Sequence, residues 1–371
     1  MLSVMLLFRS WAAGPLRVQA GPFDVCDNLV RMLSYNPDGY YMCVHGSGGH
    51  STDLLSRDVM KHYRDDRVME RLVHSIINSA KGREALHPLG TKEGQLVMDV
   101  GANVGWFSLF CASLGVPRTI AVEPFHKNAD LLRQSIKINR FDGNMGVPEI
   151  MLFNLAASAS THALYLYEMA GNFGGTFVST NPKIGQKGVT QAGIVAAAQL
   201  QDLVPAQAVW LLKLDCEGHE SMALQGMRHY FETQPPLIRN IIMEMKSRPN
   251  ETASEPQEGS ALQIALTYFL ARGYRLYALK HDWDFWSEGL EDYGNIIDPI
   301  TDLSELVEEI PPAQEAVAAA VRKHGHFDML ATLEPEGLDA FRLSSEDTPK
   351  GKMHWRFGDA ATLPKTGRLG H

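Results

Sequence analysis

The residues of this chain best placed to do chemistry are carboxylates that close short apolar runs. Asp99 follows Leu96-Val-Met98 and is itself followed by Val100, Glu123 follows Thr119-Ile-Ala-Val122, and Asp215 follows Val209-Trp-Leu-Leu-Lys-Leu214, with Glu217 two residues further on. Apolar runs of this length read as strands of an α/β sheet buried on both faces. Ligands of such sheets bind in the crevice beyond the carboxyl ends of the strands, so Asp215 and Glu217 share a crevice with Asp99 and Glu123. Acids gathered there are costly unless a cation, a proton or a hydroxyl donor joins them, which marks Asp215 and Glu217 as candidate catalytic residues. The competing reading is structural: Asp215 caps a helix running from about 219 to 231, and Glu217 favours its positive end. His219, in that first turn, has the ordinary pKa of a general base near neutral pH, although a lone histidine in such a place is more often structural.

The turn after the first run decides the cofactor. In Asp99-Val-Gly-Ala-Asn-Val-Gly105, Gly101 stands where the backbone must turn sharply and Gly105 where the new helix packs close to the strand. The middle glycine of a dinucleotide fingerprint, which lets backbone approach a pyrophosphate, is here Asn103. Asp99 just before the turn would repel a pyrophosphate and suit a cation. S-adenosylmethionine carries a sulfonium, an ammonium and no phosphate, and its ribose hydroxyls need an acceptor, which Glu123 supplies. An acid at that place serves NAD equally well, so Glu123 alone does not discriminate.

With Val122-Glu-Pro124 and Leu212-Lys-Leu-Asp-Cys-Glu-Gly-His-Glu220 following the glycine-broken turn in that order, the chain resembles the FkbM-type S-adenosylmethionine-dependent methyltransferases over about residues 94–280. The resemblance implies the class I methyltransferase fold: α/β, Rossmann-like, a mostly parallel seven-stranded sheet with an antiparallel last strand and helices on both faces. It also implies methyl transfer, most often to a hydroxyl oxygen, and leaves the acceptor open among small molecules, sugars and lipids. In such folds the loop after the third strand lies against the adenine, so Asn154 and Ala156 join the cofactor candidates. Asn172 opens a glycine-rich loop of the kind that sits at the active-site mouth in this family, and Glu244 ends the fifth strand where the family tends to place a glutamate; with His219 they are the substrate candidates. Asp215, Glu217 and Glu244 offer oxygens to a hard cation, but no spacing rule enforces a metal site. Two other readings compete, a non-catalytic cofactor-binding partner protein and a NAD-dependent oxidoreductase; the intact motifs count against the first, and Asp99 and Asn103 against the second.

The elements around these motifs divide the chain. Residues 1–23 hold Arg9 and Arg17 and no acid and read as a leader or a flexible extension, so the compartment stays open between the cytoplasm by default and an organelle or the secretory route. Residues 24–93 form an N-terminal cover, with a strand at 39–45, a surface loop at 46–50 and helices between 53 and 80 carrying Leu54, Leu55, Val59, Met60, Val68, Leu72, Ile76 and Ile77 at helical spacing. Residues 94–335 are the methyltransferase domain, with a polar loop at 250–260 and an insertion at 281–325 that opens with aromatics and acids at 281–287. Residues 336–371 read as a mobile tail.

Composition limits the partners. A net charge of −9 and a pI near 5.9 argue against a nucleic-acid footprint. No run is long and apolar enough for a transmembrane helix. Cys26, Cys43, Cys111 and Cys216 show no metal or disulfide-scaffold spacing and read as reduced thiols.

Overall fold

The computed structural model describes residues 28–343 except 33–38, 47–52, 54–55, 57–66, 87–94, 145–146, 183, 186, 205–206, 247–251, 253, 255 and 281–302. The leader, the aromatic segment at 281–287, the tail beyond 343, most of the loop at 46–50 and part of that at 250–260 lie outside the described residues.

An antiparallel hairpin of β1 (Leu29–Met32) and β2 (Tyr40–Cys43) comes first, then helices α1 (Arg67–Asn78) and α2 (Ala80–Leu86). The α/β unit starts with β3 (Leu96–Val100), α3 (Trp106–Ser113), β4 (Arg118–Val122), α4 (His126–Asn139) and β5 (Glu149–Phe153). The chain then leaves the main sheet for β6 (Ala156–Ala157), β7 (His162–Met169), β8 (Asn172–Ser179) and β9 (Val189–Ala198). It returns through β10 (Val209–Leu214), α5 (Glu220–Gln225), α6 (Arg228–Glu232), β11 (Ile238–Lys246), β12 (Arg275–Leu279), β13 (Val307–Ile310), α7 (Gln314–His324) and β14 (His326–Thr332).

The main sheet runs β13-β12-β14-β11-β10-β3-β4-β5. Its five strands from β11 to β5 are parallel, and β14 lies antiparallel between β11 and β12. This is the expected mostly parallel sheet of a class I methyltransferase with one strand more than the seven foreseen, because β13, from within the expected insertion, adds antiparallel to β12. The segment read as a glycine-rich loop is strand β8, paired to β7, and β9 completes a second, four-stranded sheet with β6.

Alternation along the central strands sorts two apolar layers. Val97, Leu211 and Ile242 face one core with the N-terminal hairpin, α1 and α3, while Met98, Val100, Leu212, Leu214 and Met243 face the other with α5 and α6. Asp99 and Lys213 belong by parity to the first face and are paired in register on neighbouring strands. The outer edge of β2 is tied to α4, where Cys43 N donates to Ser135 Oγ (2.8 Å) and Asn139 both accepts from Tyr41 N (2.8 Å) and donates to Tyr41 O (2.6 Å). These bonds satisfy edge groups that would otherwise seek another strand. Cys111 and Cys216 are free, but Cys43 is disulfide-bonded, which corrects the expectation of reduced thiols; sequence spacing carries no connectivity. Among the described residues no helix is long and apolar enough to cross a membrane.

Candidate active site

The turn from β3 into α3 is shaped by close approach. Gly101, at φ 84°, passes so near β10 that a Cβ there would lie 1.7 Å from the carbonyl oxygen of Asp215. Gly105, at φ 94°, precedes α3, and its missing side chain makes room for Leu132 of α4 rather than for the strand, so it does not line the crevice. Asn103 sits at φ 52°, a left-handed conformation that asparagine tolerates better than most residues. Four of the five amides of this turn, all but that of Val104, are already taken. Gly101 N and Ala102 N both donate to Val122 O (2.9 Å each), Asn103 N to Glu123 Oε2 (2.8 Å) and Gly105 N to Ala102 O (2.8 Å). A pyrophosphate held at a helix N-terminus needs such amides free.

Above the turn lies a cavity of about 360 Å³. Asp99, Gly101, Asn103, Glu123, Ala156, Asn172, Asp215, Glu217 and His219, all expected at the site, line it together. Asp99 is fully buried; its Oδ2 accepts from Ser108 N (3.1 Å) and Ser108 Oγ (2.6 Å), which caps α3 from the preceding strand, while Oδ1 has no hydrogen-bond partner among the described residues. Burial pushes its pKa above the ordinary carboxylate range, against the pull of Lys213 and Ser108. Glu123 accepts from Asn103 N and, through Oε1, from Phe125 N (2.8 Å). Burial raises its pKa to about 7 although those amides pull it down. Each of its oxygens keeps a lone pair for a further donor.

Lys213, a partly buried charge in an apolar strand, is a site residue that the sequence reading does not include, although its interruption of that strand is a signal for it. Its Nζ lies 3.0 Å from Asp215 Oδ2. Burial opposes its charge, but Asp215 and Asp99 outweigh burial and hold the ammonium protonated. Asp215 Oδ1 has no hydrogen-bond partner among the described residues. Asp215 is not a helix cap. The turn before α5 is held by Glu220, whose Oε1 accepts from Cys216 N (2.9 Å) and Gly218 N (3.0 Å), and the helix expected over 219–231 is broken into α5 and α6. Glu217, at φ 53°, pairs with Lys246 (3.2 Å), and burial together with neighbouring Asp215 raises its pKa to about 7. His219 Nε2 meets Ser158 Oγ at 3.2 Å; burial lowers its pKa to about 4, so it is a neutral and weakly basic imidazole at neutral pH.

The second sheet roofs the cavity through β8. Asn172 Oδ1 accepts from Gly175 N (3.1 Å), and the missing side chain of Gly174 leaves space beside both Asn172 and Asn103. Besides Gly105, two more of the expected residues stand back from the cavity. Asn154 donates through Nδ2 to Glu123 O (2.7 Å) and Pro124 O (3.1 Å), bracing the backbone around the acid rather than facing a base. Glu244 is paired with Lys246 (2.8 Å) and His326 (2.5 Å). Carboxylate oxygens of Asp215, Glu220 and Glu244 do gather within 4.8 Å of one another, but each of these three residues already has partners in the chain itself.

A glycine turn with four of its five amides taken, acids at the ends of three parallel strands and an antiparallel strand set beside β11 match the class I methyltransferase fold. Residues 99–276, just under half of the chain, match the model of the methyltransferase FkbM domain, so the chain carries a methyltransferase FkbM domain. Similar solved structures include methyltransferase FkbM from Methylobacillus flagellatus KT (13% identity, TM-score 0.34, covering 74% of this chain and 60% of that one). Another is the O-methyltransferase from Bacillus cereus in complex with SAH (12% identity, TM-score 0.31, 76% and 97%). The chain thus spans 60% of the length of the Methylobacillus protein. No curated protein matches it.

Proposed function

We propose that the protein transfers the methyl group of S-adenosylmethionine to a hydroxyl oxygen of a small molecule, sugar or lipid. The observation that carries this reading is the turn at 101–105: four of its five amides are taken by the chain, as a phosphate-free cofactor permits, while buried Asp99 keeps a carboxylate oxygen unpaired among the described residues and suited to a cationic one. When bound, S-adenosylmethionine supplies an electrophilic methyl group on a sulfonium that is a good leaving group. Glu123 has the free lone pairs to accept ribose hydroxyls, and Asp99 and Asp215 offset the positive charge. Lys213 is the lone lysine or arginine lining the cavity among the described residues, and it is bound to Asp215, so no cation is left over for an anionic acceptor. That favours a neutral, hydroxyl-bearing acceptor. Asp215 Oδ1 is free to receive its hydrogen bond, and Glu217, with a pKa near neutrality, suits removal of its proton. Alignment of acceptor and methyl then supplies much of the rate.

Isothermal calorimetry tests the cofactor: S-adenosylhomocysteine binds and NAD does not. NAD binding with no response to the sulfur ligand overturns the reading. Methyl-labelled donor incubated with pools of sugars, lipids and small alcohols then identifies the acceptor, and label appearing on nitrogen alone refutes the oxygen assignment.

A further inference from the structure

The N-terminal hairpin lies outside the 99–276 family domain, yet one of its side chains reaches the floor of the cavity. His45, just beyond β2, brings Nε2 within 2.6 Å of Asn128 Oδ1. Asn128, on the first turn of α4, is 2% exposed and lines the cavity. With its oxygen engaged by His45, its amide nitrogen is left for the Glu123 carboxylate, which lines the same cavity and whose pKa the Asn128 side chain helps to hold down against burial. Glu123 in turn holds Asn103 N and so the left-handed residue of the turn. A relay of polar contacts therefore runs from His45 through Asn128 and Glu123 to the turn.

Ser56 and Phe173 hold the histidine in turn, and Asp53 ties those two together. The His45 backbone N donates to Ser56 Oγ (3.0 Å), its ring packs on Phe173 of β8 at 4.6 Å between centroids, and Asp53 accepts from Phe173 N (2.8 Å) through Oδ1 and from Ser56 N (2.9 Å) through Oδ2. The residues just before the domain thus join the roof strand to the cofactor acid. A hairpin serving only as a cover for α4 would need the backbone ties to Ser135 and Asn139, and no imidazole donor aimed at a buried amide.

We propose that His45 is a positioning residue of the methyl-donor site: by donating from Nε2 to Asn128 it fixes the amide orientation that presents Glu123. The inference rests on the reading of the crevice as a S-adenosylmethionine site. An unpaired buried amide oxygen costs its desolvation, and a freely turning Asn128 offers Glu123 an oxygen as readily as a nitrogen.

The test is calorimetry of S-adenosylhomocysteine binding to the full chain and to His45→Ala, His45→Leu and His45→Gln, with thermal melts alongside. Alanine and leucine should weaken binding about tenfold. Glutamine, which keeps an N–H donor, should return it to within about threefold of wild type. If alanine leaves too large a hole for folding, leucine against glutamine decides, since both fill the space of the ring. Wild-type affinity in the leucine variant, or a glutamine variant as weak as leucine, overturns the proposal. A wild-type protein that does not bind S-adenosylhomocysteine refutes instead the reading of the crevice on which it rests.

Discussion

At the scale of single residues the acids of the crevice have separate tasks. Glu123 and Asp99 are held by backbone or serine donors and shape the turn, whereas Asp215 has one oxygen on Lys213 and one free. Replacing Asp215 with asparagine keeps its shape and an acceptor oxygen but removes charge and basicity. Turnover should fall about 100-fold or more, with S-adenosylhomocysteine affinity changed by no more than about threefold. Because Asp215 caps no helix and the turn before α5 is held by Glu220, unchanged turnover in Asp215→Asn would leave that aspartate with no task at all in the reaction. Glu217 adds a pH signature. Its pKa near 7 predicts that kcat rises through neutrality as the carboxylate loses its proton, and that Glu217→Gln flattens this limb.

At the scale of elements, the sequence was most legible where pattern and chemistry coincide. The apolar runs ending in Asp99, Glu123 and Asp215 are β3, β4 and β10, each reaching the same crevice, since strand burial and strand order are written in local hydrophobicity. Less legible were features made by contact between distant segments. Gly174 and Gly175 read as a loop, yet they lie within β8, where their missing side chains admit Asn172 and Asn103. Asn154 looked like a base contact, but its amide found backbone carbonyls 30 and 31 residues away. His45 and Asn128 carried no motif, because their pairing exists only once the hairpin docks on α4. The glycines differ in what they tolerate. Gly101→Ala drives a methyl into the Asp215 carbonyl at a left-handed φ, where neither backbone can yield, and should cost at least about 2 kcal/mol and abolish S-adenosylhomocysteine binding. Gly174→Ala would meet only side-chain amides, at 3.1 and 3.2 Å, and should melt close to wild type. Equal melting temperatures for the two variants would contradict this account of the turn.

At the scale of the whole molecule, burying acids for the site makes stability depend on pH in an uncommon direction. A carboxylate such as Glu308, paired with Lys323, is held below its ordinary pKa, and its contribution is lost as pH falls. Glu123 and Glu217 run the other way, raised from 4.5 to about 7 chiefly by burial. Between those values the folded chain binds a proton that the unfolded chain has already released. Their contribution is therefore fully present below about pH 4.5 and is lost as pH rises through about 7. For Glu123, which is almost wholly buried, the loss amounts to about 3 kcal/mol at most. The ligand-free protein should accordingly be less resistant to urea at pH 8 than at pH 5.5. Glu123→Gln, neutral at every pH, should remove much of that difference, and a ribose donor on the acid should do the same by favouring its charged form, so that S-adenosylhomocysteine stabilises the protein more at pH 8 than at pH 5.5. Urea midpoints that rise from pH 5.5 to 8 in wild type and variant alike would show that Glu123 is already ionised in the folded, ligand-free state, held there by the amides of Asn103 and Phe125 against its burial.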